Sequence, residues 1–119
     1  MKKSLSVAAT TVAILFASVA TAAPANADTA SRKRCISAED MCIWAKKGFS
    51  GSQWAVTGEW GGQCTNPLMS GHSVANGRAG TVRFYSKKNC RGSFFDIKKR
   101  DYATKTPFAV ASYQGKPAS

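Results

Sequence analysis

The residue types able to do acid–base chemistry are few. His72 is the one histidine, and the carboxylate and guanidinium partners it could recruit are Glu59 and Arg78 or Arg83. Together they could imitate a small ribonuclease, in which a carboxylate and an imidazole share proton transfer. Nothing in their spacing ties them to one site. A serine or cysteine nucleophile fares worse, because the single histidine has no evident orienting partner. The chain is therefore expected not to be an enzyme, and no cofactor is expected.

Cysteine offers the next chemistry. Cys35, Cys42, Cys64 and Cys90 are the four in the chain. No pair has the short gap of a zinc knuckle, and no Cys-x-x-Cys redox motif occurs. An even count reads as two disulfides, with three pairings open. Chain proximity favours Cys35–Cys42, which leaves Cys64–Cys90 to close the longer loop.

Disulfides need an oxidising compartment, and the N-terminal segment supplies the route. Lys2 and Lys3 precede an apolar and small-residue run from Val7 to Val19, followed by Ala25-Asn26-Ala27. This is the pattern of a secretory signal peptide over residues 1–27, with cleavage expected before Asp28 and a second acceptable site before Ala23. The run is shorter than the ~18–20 apolar residues of a membrane span. No transmembrane segment is expected, and the protein should be secreted and extracellular.

The chain of 119 residues carries 17 Lys and Arg against 6 Asp and Glu, a net charge of +11. Without residues 1–27 it keeps 92 residues and a net charge of +9. That length allows one small domain, for which covalent staples are useful. A basic N-terminal segment, 28–34, leads into a domain expected over 35–113 and a flexible tail over 114–119. Lys46 and Lys47, and Lys87, Lys88 and Arg91, fall at two equivalent hairpin tips, and Lys98, Lys99 and Arg100 follow the second of them. They suit an anionic partner such as a cell-wall polymer, as a cationic wall-binding or antimicrobial protein would require. Nucleic acid is not expected, since no binding motif is present and export removes the usual target. A monomer is expected.

The positioning elements come from an internal repeat. At an offset of 41, Ile43 falls on Phe84, Trp44 on Tyr85, Lys46 on Lys87, Lys47 on Lys88, Gly51 on Gly92 and Ser52 on Ser93. A period of this size means one supersecondary unit used twice. Thr81 to Tyr85 alternates in polarity, and so do Phe95 and Ile97, so each unit reads as strand, tight tip, strand. Gly48 and Asn89 suit a left-handed backbone at the tips. Helix signals are nearly absent, and Ser37 to Asp40 could form one turn at most.

Trp44-x-x-x-x-Phe49-x-Gly51 and Tyr85-x-x-x-x-Cys90-x-Gly92 resemble the paired signature of βγ-crystallin Greek keys. The resemblance implies an all-β sandwich of two keys, with the leading aromatic over the glycine of its own folded hairpin. It also implies that Ser73 and Ser112 tie those hairpins down. The chain is similar, more closely, to secreted actinobacterial peptidase inhibitors of this fold, typified by a metalloproteinase inhibitor. The signal peptide, the early cysteine pair, Ser73-Val74-Ala75-Asn76 and Asn89-Cys90-x-Gly92 carry that likeness. It implies the pairing Cys35–Cys42 and Cys64–Cys90, and an extracellular protease as partner. Many βγ-crystallins also bind calcium. Here the matching positions hold Leu68, Met69 and His72 in one key and Pro107, Phe108 and Ala111 in the other, which supply no hard oxygen ligands. No calcium site is expected.

An inhibitor needs a loop, and the candidate is Cys64 to Gly71. Cys64 tethers its start, Pro67 restricts its backbone, and Leu68 and Met69 offer an apolar pair to a specificity pocket. If both residues instead fill the core, the loop is an ordinary connection. A structural or stress-resistance role at the cell exterior is the remaining reading.

Overall fold

The computed structural model describes residues 29–57 and 60–116. The expected signal peptide, Glu59 and the last three tail residues lie outside that range. Seven strands follow in order: β1 (Met41–Lys46), β2 (Ser50–Val56), β3 (Ser73–Asn76), β4 (Thr81–Lys87), β5 (Arg91–Ile97), β6 (Asp101–Ala103) and β7 (Ser112–Lys116). They form two antiparallel sheets, ordered β2-β1-β3-β6 and β5-β4-β7.

Each repeat is a Greek key whose third element crosses to the other sheet. In the second key, β6 leaves its own sheet and pairs with β3. In the first key, the corresponding chain around Gly62 to Thr65 runs beside β7. Thr65 and Tyr113 exchange both backbone hydrogen bonds, at 2.9 and 3.0 Å, and Gly115 donates to Gly62 at 3.1 Å. Each sheet is thus completed by the other key, and the two repeats cannot separate without breaking both.

The tips show the same symmetry in their backbone. Gly48 and Asn89, Phe49 and Cys90, and Gly51 and Gly92 are matched pairs at positive φ, from 56° to 85°. A register shift precedes each tip, between Trp44 and Lys46 and between Tyr85 and Lys87. Ser73 Oγ accepts from Phe49 N at 3.0 Å and donates to Lys46 O at 2.7 Å. Ser112 Oγ accepts from Cys90 N at 2.9 Å and donates to Lys87 O at 2.5 Å. One buried hydroxyl on the last strand of each key thereby satisfies two backbone groups that the tight tip leaves without strand partners. The atoms nearest the α-hydrogen side of Gly51 belong to Lys46 and Ala45. Trp44 packs edge-on against Phe49, with ring centroids 5.1 Å apart.

Between the sheets lie Met41, Ile43, Val74, Val82, Phe84, Ile97, Val110 and Tyr113, all buried. Trp54 Nε1 of β2 donates to Tyr113 Oη of β7 across this layer at 2.8 Å, which joins the two sheets through a polar contact. Burial pushes the Tyr113 phenol above its ordinary pKa. The alternate residues of β1, Cys42 and Trp44, face the other way, into a second cluster with Cys35, Phe49 and Ala75. β1 is therefore buried on both faces, which suits its unbroken run Met41-Cys42-Ile43-Trp44. The disulfides are Cys35–Cys42 and Cys64–Cys90.

Two sequence expectations are corrected here. Residues 29–37 form a helix, α1, where a separate basic segment and at most one turn at 37–40 were expected. Its buried side is Arg32, Cys35 and Ile36, spaced as one helical face. The guanidinium of Arg32 lies over the Tyr102 ring at 4.1 Å, so an arginine serves as part of the packing face. The helix ends in a Schellman arrangement: Asp40 N donates to Cys35 O at 3.1 Å, Glu39 N donates to Ile36 O at 3.0 Å, and Glu39 takes φ 61°. The second correction concerns the expected tail over 114–119. β7 continues to Lys116 because Gly115 fits against Gly62 and the Trp60 ring, where a Cβ would stand 3.0 to 3.3 Å from their atoms.

Candidate functional site: a braced loop presenting Leu68

The segment Cys64 to Gly71 connects the crossing element of the first key to β3. Every flank of it is held. Cys64 is bonded to Cys90 in the second folded tip. Thr65 is hydrogen-bonded to Tyr113 in both directions. Asn66 Oδ1 accepts from Asn89 N at 2.9 Å, and Asn66 Nδ2 donates to Asn89 Oδ1 at 3.1 Å. This reciprocal amide pair locks the loop to the left-handed residue of the tip. At the far end, Gly71 and Val110 exchange backbone hydrogen bonds of 3.1 and 2.8 Å.

Between these clamps the three candidate residues part company. Pro67 is buried, Leu68 is 90% exposed, and Met69 is half-buried against the main core. Leu68 and Met69 do not form an exposed apolar pair, which corrects that part of the expectation. The chain bends at Leu68 and Met69, and the bend turns one of the two neighbours outward and the other toward the core. Pro67 and Met69 are the anchors, and Leu68 is the displayed side chain. Among the described large hydrophobic residues it is the most exposed, ahead of Phe94 at 51% and Tyr102 at 41%. Leaving a leucine in water forgoes roughly 1.5–3 kcal/mol of burial, which a partner's pocket can recover.

Beside the loop is a shallow cleft of about 180 Å³ lined by Pro67, Leu68, Met69, Ser70, Lys88 and Ala111. Lys88 is thus the one member of the basic cluster brought to the loop. Lys87 and Arg91 flank it on the same tip, exposed. Lys46 and Lys47 sit on the tip of the first key, in the other sheet, where Gly48 N donates to Thr104 O at 2.9 Å.

The acid–base candidates are held in separate surroundings. His72 Nδ1 lies 2.8 Å from Ala45 O, a carbonyl that can only accept, so this nitrogen carries a proton and donates. Arg83 grips Asp96 through two hydrogen bonds of 2.7 and 3.0 Å, and its guanidinium lies 3.8 Å over the Phe94 ring. That hydrogen bonding holds the Asp96 carboxyl below its ordinary pKa. Arg78 lies over the Trp60 ring and donates to Trp60 O at 3.4 Å. Glu59 lies outside the described residues. Among the described residues no group of three or more His, Cys, Asp or Glu side chains is placed to hold a metal ion, and no helix is long and apolar enough to cross a membrane.

The sequence reading missed Asn66. Its side chain makes both hydrogen bonds to Asn89, yet in sequence it is only an asparagine before a proline, which signals a turn and no partner. The signal that could have found it is the repeat, which marks Asn89 as a left-handed tip residue.

Residues 28–97 match the family model described as peptidase inhibitor family I36. No curated protein matches the sequence. Solved structures are also similar, two of them as follows. One is a βγ-crystallin from an archaeon, 18% identical, covering 65% of this chain and 96% of that one, with a TM-score of 0.47. The other is IPSE/alpha-1 from Schistosoma mansoni eggs, 12% identical, covering 66% and 93%, with a TM-score of 0.48.

Proposed function

The chain belongs to peptidase inhibitor family I36, and on that premise we propose that it is a secreted inhibitor whose Leu68 enters an apolar pocket of an extracellular protease. The observation that carries this reading is a leucine 90% exposed on a loop clamped at both ends. Binding costs entropy wherever a loop must be ordered, and this loop is ordered beforehand. Buried Pro67 and half-buried Met69 fix the backbone on either side of the displayed side chain. The family is one of inhibitors and not of enzymes, in keeping with a loop that offers a side chain and no reactive group.

The exposed Lys87, Lys88 and Arg91 border the same surface. They favour a protease whose rim is acidic, and they would speed its encounter by electrostatic steering. A wall polymer is the second reading of the same cations. Tight binding to it would need no Leu68.

The test is a titration of the mature protein, from Asp28, against secreted proteases with apolar specificity pockets, including a zinc endopeptidase and subtilisin-like and chymotrypsin-like enzymes. The expected result is saturable one-to-one loss of activity for at least one of them, with association slowed by added salt. No inhibition of any of them at micromolar protein, alongside salt-sensitive binding to anionic wall polymer, would replace this reading with the second.

A further inference from the structure

The first sheet ends at β2, and among the described residues no strand pairs with its outer edge. Free edges are normally guarded by charge, proline or a covering segment. β2 reads Ser50-Gly51-Ser52-Gln53-Trp54-Ala55-Val56, with no charge and no proline. The other sheet's free edge, β5, is guarded by Arg91 and Asp96 and followed by Lys98, Lys99 and Arg100. The repeat makes the two strands equivalents, so the difference is specific to β2.

A second, independent feature lies alongside. Between α1 and β2 is an open cleft of about 700 Å³, lined by Lys33 and Arg34 of the helix and Gln53 and Ala55 of the strand. One acid, Asp40, also lines it. The alternate residues of β2, Trp54 and Val56, turn to the opposite side and pack against the main core.

From these two features we propose that β2 accepts an added strand from a partner: an extended peptide segment with alternating acidic and apolar side chains. The free N–H and C=O groups of β2 would hydrogen-bond the peptide backbone. Side chains on the cleft side would face Lys33 and Arg34, and those on the other side would extend the layer of Trp54 and Val56. A second copy of this chain is a poor occupant, because its own β2 brings no acid to the cleft and its net charge repels. This surface is separate from the Leu68 loop, so either can fail without the other.

The probe is a capped, fluorescein-labelled peptide of four Glu-Val repeats, followed by anisotropy with the mature protein. Saturable one-to-one binding is expected. Of two further peptides, one N-methylated at every valine amide and one at every glutamate amide, at least one should bind more than tenfold more weakly, because it loses the hydrogen bonds to β2. Lys33→Glu with Arg34→Glu should weaken the parent peptide more than tenfold while leaving the melting temperature unchanged, since both side chains are exposed. Equal binding of all three peptides would reduce the interaction to charge and overturn the proposal. So would unchanged binding by the double variant, absence of binding at millimolar peptide, or protein dimerisation that protects the β2 amides.

Discussion

Leu68→Asp should raise the inhibition constant at least a hundredfold against any protease the protein inhibits, with the melting temperature unchanged. A factor of a hundred corresponds to about 2.7 kcal/mol. That is the scale on which a single anchoring side chain in a pocket acts. Two terms add in the same direction. The apolar burial of leucine is lost, and a carboxylate must leave water to enter an apolar site, which is unfavourable without a partner. Stability is spared because Leu68 is 90% exposed and touches little of the fold. Met69→Ala is the control with the opposite signature. It removes contacts with the core and should lower stability by about 1–2 kcal/mol, less than the ~2–5 kcal/mol for a fully buried methionine because Met69 is half-buried. Its effect on inhibition should be the smaller of the two. Inhibition constants and thermal melts of the three proteins decide the matter. If Leu68→Asp inhibits as well as the parent, the displayed leucine is not the anchor.

Replacing both Cys64 and Cys90 by serine should cost roughly 3–4 kcal/mol, by the chain-entropy view of a cross-link. The two cysteines are separated by 26 positions, against 7 for Cys35 and Cys42. The shorter link should therefore matter less, about 2 kcal/mol on the same basis. For a domain of this size the larger loss lowers the melting temperature by on the order of 15–25 °C. It also releases one end of the inhibitory loop. Only the Asn66–Asn89 pair and the Thr65–Tyr113 backbone bonds then hold that end, so inhibition should weaken at temperatures where the variant is still folded. Melting within a few degrees of the parent, together with an unchanged inhibition constant, would show that the hydrogen bonds suffice and the disulfide is dispensable to the site.

Much of this arrangement was legible in sequence because the repeat exposes it twice. Lys46 and Lys87, Gly51 and Gly92, and Ser52 and Ser93 lie at one offset, and the tips they mark have matching backbone angles. Ser73 and Ser112 are different. Nothing in their local spacing reveals that each hydroxyl bridges a distant tip, and only the family resemblance pointed to them. Helix α1 was illegible because its packing face includes Arg32, and a polar residue at an apolar position erases the helical period. The end of β7 was illegible because Gln114-Gly115-Lys116 has little strand propensity. Its glycine is there for close contact with Gly62 and Trp60. In the loop, sequence reveals that Leu68 and Met69 are apolar but not which one faces out. That choice is made by the Gly71–Val110 and Thr65–Tyr113 pairings, both of them long-range.

On this reading the protease is met by the loop from Cys64 to Gly71. Backbone amide exchange followed by mass spectrometry, on the mature protein alone and saturated with a protease it inhibits, locates the footprint directly. The expected result is new protection confined to peptides spanning residues 66–70 and the neighbouring tip at Lys87 to Arg91. Protection at the Lys46–Lys47 tip or along β2, with residues 66–70 exchanging as in the free protein, would contradict it.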